Sequence, residues 1–171
     1  RGPHELIYLG AEAWRTNSGA RGFTSFLFDP ATGTFHRATD ARGAGIDATY
    51  VAEMMWRAAL WSAGTPAQLA GQRLAFADLA MAEDGALSLT QTASLAGAAP
   101  LADLLAHPAA QRDWDALWDY LQAAAGQGLR RRQGEVLALV QPQHADDPVF
   151  DPLSQSDLWP WLDEAGSLLP L

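Results

Sequence analysis

His144-Ala145-Asp146-Asp147 sets one imidazole and two carboxylates within four residues, the donor types that divalent cations take. The other histidines, His4, His36 and His107, stand far apart. No two histidines have the four-residue spacing of a helical metal pair, and no His-Glu-x-x-His occurs. A solvated polar loop explains His144–Asp147 better than a metal site does, and no metal is expected. Asp113, Asp115 and Asp119 form a second carboxylate group. They fall on the polar side of a helical stripe, where solvation explains them better than acid–base catalysis. Neither Gly-x-Ser-x-Gly nor Gly-x-Gly-x-x-Gly is present.

Two missing residue types narrow the chemistry further. The 171 residues include no cysteine, which excludes disulfides, thiolate zinc sites, iron–sulfur clusters and cysteine nucleophiles. They include no lysine either; all eleven basic residues are arginine. Schiff-base chemistry, the P-loop lysine and the kinase strand lysine are thereby removed. No catalytic constellation and no cofactor is expected. The formal charge of −9 is uneven: residues 1–75 carry seven arginines and six acids, residues 76–171 four arginines and fourteen acids. Nucleic-acid binding draws on phosphate neutralisation, so only the amino-terminal half keeps that option open.

Two sets of residues remain as candidate binding surfaces. Arg15, Arg21, Phe23, Phe35 and Arg37 lie in or beside the first strands, where arginine–phosphate contacts and aromatic stacking could hold a single strand of nucleic acid. Against that reading, alternation must bury some of the phenylalanines, and Glu12, Asp29 and Asp40 nearly balance the local arginines. Trp159 and Trp161 flank Pro160 and would share one face of an edge strand. An exposed aromatic pair there suits a protein partner; packing is the plainer alternative. For Trp114 and Trp118, which share a helical stripe with Leu117 and Leu121, core or domain-interface packing is the expected role.

The elements that would position these residues are legible. Glu5–Trp14 reads as a strand with a bend-prone glycine, Gly10, in its middle. Phe23–Phe28 and Thr34–Thr39 read as a hairpin around the Asp29-Pro30-Ala31-Thr32-Gly33 turn. Phe26 and Phe28 are expected to point into the core and Phe23, Ser25 and Leu27 outward. Phe35 is expected to face inward if it opposes Phe26 or Phe28; that turns Arg37 inward too, with Asp40 or Asp29 as its partner. Asp47–Trp61 reads as one helix, with Val51, Met54, Met55, Ala58 and Ala59 on one stripe and Asp47 or Thr49 as its cap. Gln72–Met81 and Ala86–Thr92 read as a second hairpin around Glu83-Asp84-Gly85. Residues 100–128 hold one or two helices, ended at Gly126, with the basic run Arg130-Arg131-Arg132 beyond. Short strands are expected at Gly134–Pro142, Asp157–Asp163 and the closing Ser167–Leu171. The phrase Phe28-Asp29-Pro30 is echoed by Phe150-Asp151-Pro152, as if a second unit begins there.

The fold class expected is α+β, mainly β. Residues 1–97 would form an OB-like five-stranded barrel with one helix between strands 3 and 4. Residues 98–171 would form a helix plus short antiparallel strands, packed on the barrel or making an incomplete second unit. No apolar run approaches the ~18 residues of a membrane span and no signal-peptide pattern is present, so a cytoplasmic protein without membrane contact is expected. Arg1-Gly2-Pro3, with no methionine, reads as an added scar and the chain as a piece of a longer protein.

Three stretches, "YLGAEAWRTNSGARGFTSFLFDPATGTFHRATDARG", "ALWSAGTPAQLAGQRLAFADLAMAEDGALSL" and "FDPLSQSDLWPWLDEAGSLLPL", resemble in order the region carboxy-terminal to the zinc finger in bacterial SWIM zinc-finger proteins. The SWIM motif, Cys-x-Cys…Cys-x-His, is impossible without cysteine, so the resemblance implies neither a metal site nor any functional residue here. SWIM fingers are thought to bind DNA or proteins, and the resemblance assigns this companion region no role. A non-enzymatic binding or scaffold module that contacts a protein partner is the expected function, with single-stranded nucleic-acid binding as the alternative.

Overall fold

The structure is a computed structural model that describes residues 2–125 and 136–169. Two compact units make up the chain, Arg1–Asp103 and Leu104–Leu171. The first is built on five strands: β1 (His4–Arg15), β2 (Arg21–Asp29), β3 (Thr34–Arg42), β4 (Gln72–Phe76) and β5 (Ser94–Ala98). They form one antiparallel sheet in the order β3-β2-β1-β4-β5. A closed barrel would need β3 joined to β5. Among the described residues no such ladder is found, so barrel closure is not seen. An isolated parallel bridge, Arg37–Ala86, links β3 to the segment after β4.

The first hairpin forms as its residues dictate. Asp29 Oδ1 accepts the Ala31 N–H at 2.8 Å, and Gly33 takes the positive φ of 72° that closes the turn. On β1 the register slips between Tyr8 and Gly10, the bulge a mid-strand glycine invites. The slip puts Tyr8 and Ala11 on one face. That face also carries Leu6, Phe23, Leu27, Ala38, Leu74 and Phe76, and with Leu60, Trp61, Leu69, Leu79 and Leu87 they make the core of the unit.

The facing of β2 is therefore the reverse of the expectation. Phe23 is 1% exposed, and Ser25 and Leu27 are fully buried beside it. Phe28 is also buried, but on the opposite face, where its ring lies 5.3 Å from that of Phe35. Phe35 opposes Phe28 and Arg37 opposes Phe26, so the cross-strand register is as expected. Both faces of β2 bear large apolar side chains, and alternation alone cannot say which meets the core. Arg37 pairs with Asp84 at 3.3 Å, not with Asp29 or Asp40.

Two further expectations are corrected. Asp47–Trp61 is not one helix. It holds a six-residue 3-10 helix, Ala52–Arg57, whose preceding residue Val51 offers no side-chain cap. A short helix α1 (Pro66–Leu69) follows, with a Thr65–Gln68 capping box. Trp61 and Ser62 take positive φ of 50° and 58°, and Leu60 bridges Gly64. This loop drops the Trp61 ring into the core, edge-on to Tyr8 and Phe76. Burial of one tryptophan outweighs helix preferences, which are at most about 0.7 kcal/mol for each ordinary residue. Ala86–Thr92 is not the fifth strand either. The Glu83–Gly85 turn exists, with Ala82 N–H donating to the Ala86 carbonyl at 2.9 Å. Beyond it, side chains take over the ladder's hydrogen bonds. Gln91 both accepts from the Ala80 N–H and donates to its carbonyl, and Ser88 Oγ accepts from the Thr90 N–H. Strand pairing resumes at β5.

The second unit begins inside α2 (Leu101–Leu105). It continues through β6 (Ala110–Gln111), α3 (Trp114–Ala125), β7 (Leu139–Val140), β8 (His144–Ala145), β9 (Val149–Asp151), β10 (Ser156–Leu158) and β11 (Trp161–Leu162). Three two-stranded sheets result: β6 with β7, β8 with β11, and β9 with β10. Asp113 caps α3 by accepting the Ala116 N–H at 2.8 Å. Trp114 and Leu117 are buried, while Trp118, expected to pack in the core or at a domain interface, is 54% exposed. Among the described residues, strand pairing in the closing segment is a bridge between Leu162 and Leu168. The Gly126 cap and Arg130–Arg132 lie outside the described residues. The echoed turns are alike in structure: Asp151 Oδ1 accepts the Leu153 N–H at 2.9 Å, as Asp29 does for Ala31. Among the described residues no helix is long and apolar enough to cross a membrane.

Candidate functional site

Trp159 and Trp161 are positioned by the two smallest sheets of the second unit. The expected single strand across Asp157–Asp163 is broken: β10 ends at Leu158 and β11 starts at Trp161, because Pro160 offers no N–H to a ladder. The Pro160 carbonyl still accepts the Asp146 N–H at 3.0 Å. β11 pairs with β8, Trp161 opposite Ala145. The two indoles meet edge-to-face with ring centroids 5.8 Å apart, a favoured aromatic geometry. Trp159 is 53% exposed. Trp161 is half-buried, and among the described residues its Nε1 is buried without a hydrogen-bond partner. Its carbonyl accepts from Trp114 Nε1 at 3.2 Å, which ties the pair to the buried end of α3.

The segments next to the pair carry exposed apolar residues and exposed acids. Leu158 precedes Trp159 and opposes Val149 across the β9–β10 ladder. Val149, Phe150 and Leu158 are all exposed. His144 and Asp146 form an exposed contact at 2.9 Å beside Pro160, and Asp147 and Asp157 are exposed as well. Asp163 closes the site from within. It is buried, and its carboxylate accepts the N–H groups of Ala165, Ser167 and Trp114. Burial pushes this carboxyl up, but those backbone donors outweigh it and hold it below its ordinary value. In the sequence His144–Asp147 stands out only as a solvated loop and Phe150 only as part of an echoed turn; Val149 and Asp157 are not singled out beside the tryptophans.

The five residues expected to bind nucleic acid do not come together. Phe23 is in the core, where Trp56 meets it edge-on at 5.1 Å. The Arg21 guanidinium donates to the carbonyls of Ile46, Asp47 and Tyr50, so it holds the loop after β3. Arg42 completes that arrangement, its guanidinium 4.6 Å from the Tyr50 ring centre and bonded to Asp40. Arg15 is exposed and stands opposite Arg21. Phe35 and Arg37 share the other face of the sheet with half-buried Phe26.

The histidines serve local structure. His36 lies within hydrogen-bonding distance of Thr34 Oγ1 and the Gly85 carbonyl, and His107 Nδ1 accepts the Ala109 N–H. Among the described residues no group of three or more His, Asp or Glu side chains is placed to hold a metal ion. Searches of protein-family models, curated proteins and solved structures find no match to the chain.

Proposed function

We propose that this chain is a non-enzymatic binding or scaffold module that mediates protein interaction within a larger protein or complex, with Trp159 and Trp161 as its contact residues. One observation carries the reading: an indole more than half exposed, braced by a second indole at 5.8 Å. Exposed apolar area costs roughly 25 cal/mol per Å² in water, and well-positioned tryptophans are the residues that most often anchor an interface. Affinity capture from the native host with the wild-type chain and with Trp159→Ala tests the proposal. A specific partner retained by the first and lost by the second is expected. Turnover of a substrate by the isolated chain, with no partner recovered, would reverse it.

A second reading has one observation in its favour. Phe26, Phe35 and Arg37 share a face of the β2–β3 hairpin, the part of an OB-like unit that takes single-stranded nucleic acid. The element order of the first unit and the Arg37–Ala86 bridge between β3 and the segment after β4 support an OB-like, partly open reading of that sheet. Such binding would weaken steeply with salt and fall in Arg37→Ala. Absence of binding to single-stranded DNA or RNA at low salt removes this reading.

A further inference from the structure

We infer that the tryptophan surface of the second unit takes a cationic partner segment, one that carries arginines interleaved with large apolar side chains. The inference rests on the proposed protein-binding role of Trp159 and Trp161 and adds the chemistry of what docks there.

Charge is the first observation. Residues 133–171 contain seven acids and neither arginine nor lysine. Four of those acids, Asp146, Asp147, Asp151 and Asp157, lie in the segments that carry the exposed apolar residues. Their states differ. Asp151 is used by its turn, accepting from Leu153 and from Ser154. Asp146 contacts His144. Asp147 and Asp157 are exposed and have no ion-pair partner among the described residues. Within the second unit's described residues the cation is Arg112, and its guanidinium already donates to Gln141 Oε1, to the Ala110 carbonyl and to the Leu105 carbonyl. Among the described residues, Asp147 and Asp157 thus have no internal counter-charge.

The aromatic pair is the second, independent observation. A guanidinium laid on an indole face is attracted by the ring quadrupole, tryptophan being the strongest of the aromatic faces. Arginine is the cation suited to both parts of this surface, because its plane stacks on indole while its N–H fork meets carboxylates. In the adjoining β9–β10 ladder, Leu158 and its partner Val149 are exposed on one face. A purely hydrophilic polycation would leave them in water, so the docking segment needs apolar side chains as well. An apolar centre with a charged rim is the ordinary anatomy of a protein interface, and a rim of one sign selects the partner's sign and speeds encounter.

The test uses the full chain and three short synthetic peptides of equal length, in which valine alternates with arginine, glutamine or glutamate. Binding is read by calorimetry at low and at high salt. The wild-type chain should bind the arginine peptide roughly tenfold more tightly than the glutamine peptide, and the glutamate peptide not at all. Trp159→Ala should lose roughly tenfold against the arginine and glutamine peptides alike. The double reversal Asp147→Arg with Asp157→Arg, its fold checked by circular dichroism, should move the preference to the glutamate peptide. Equal binding of the arginine and glutamine peptides, both lost in Trp159→Ala, overturns the cationic partner and leaves the tryptophan contact standing. Arginine-peptide binding that ignores Trp159→Ala and the reversal is diffuse attraction to an acidic chain, and it overturns the site as well. Binding that emerges only after Arg130, Arg131 and Arg132 are replaced by serine means that the chain's own arginines pair with these acids, which overturns a separate partner. No binding of any peptide by any of these chains overturns the inference.

Discussion

Trp114 and Trp161 show how differently one indole N–H can count. Trp114 is buried and its Nε1 donates to the Trp161 carbonyl; Trp161 is half-buried, and its own Nε1 is buried unpartnered among the described residues. Trp114→Phe should cost about 2–3 kcal/mol, from a cavity and a lost hydrogen bond. Trp161→Phe removes a donor that is already unmet, so it should cost clearly less, about 1 kcal/mol or under. Urea unfolding followed by far-ultraviolet dichroism checks the order. Asp163 supplies a pH dependence. Its carboxyl titrates lower in the folded than in the unfolded chain, so the stabilisation is present above the unfolded carboxylate value, near pH ~4, and is lost as pH falls through the folded value. Asp163→Asn should flatten the acid limb of the thermal-stability profile in this unit.

At the scale of elements, β2 decides the architecture of the first unit. Phe23→Ala should cost about 3–5 kcal/mol, because its ring lies in the core. Phe26→Ala, half-buried on the other face, should cost roughly half as much. Equal losses would mean that the facing of β2 is misread. The hairpin itself was legible: Asp29, Pro30 and Gly33 specify the turn, and the turn fixes the register. Its facing was not, since Phe23 and Leu27 on one side and Phe26 and Phe28 on the other give alternation no polar face to mark. The long helix failed for a different reason. Val51, Met54 and Met55 do repeat at helical spacing, but Trp61 is worth more in the core than at the end of a helix, and the chain takes left-handed φ at Trp61 and Ser62 to place it there. At the site, Trp159 and Trp161 were legible as a pair. The break in the strand at Pro160 follows from an N–H that proline lacks, and the acids of His144–Asp147 were legible as a polar loop but not as neighbours of β11, which only the β8–β11 pairing reveals.

The whole molecule is uneven in how it is held together. Every member of the first unit's core cluster lies between Leu6 and Leu87, so residues 1–103 expressed alone should unfold cooperatively and keep the near-ultraviolet dichroism of a packed Trp61. A molten, non-cooperative fragment would show that this core depends on the rest of the chain. Among its described residues the second unit has few buried apolar side chains, chiefly Leu104, Ala110, Trp114 and Leu117, and three separate two-stranded sheets, an arrangement with little stability of its own in water. With ten acids against four arginines it also carries the larger share of the chain's net charge, so salt should raise its midpoint more than that of the first unit. The indole pair has an optical consequence. Two identical chromophores held 5.8 Å apart with their planes at 67° share their excitation. That coupling splits the far-ultraviolet band into a couplet of opposite signs, absent from either tryptophan alone. Any ligand that turns the exposed ring of Trp159 against Trp161 rewrites that couplet, so the protein carries an unlabelled optical gauge of its own occupancy.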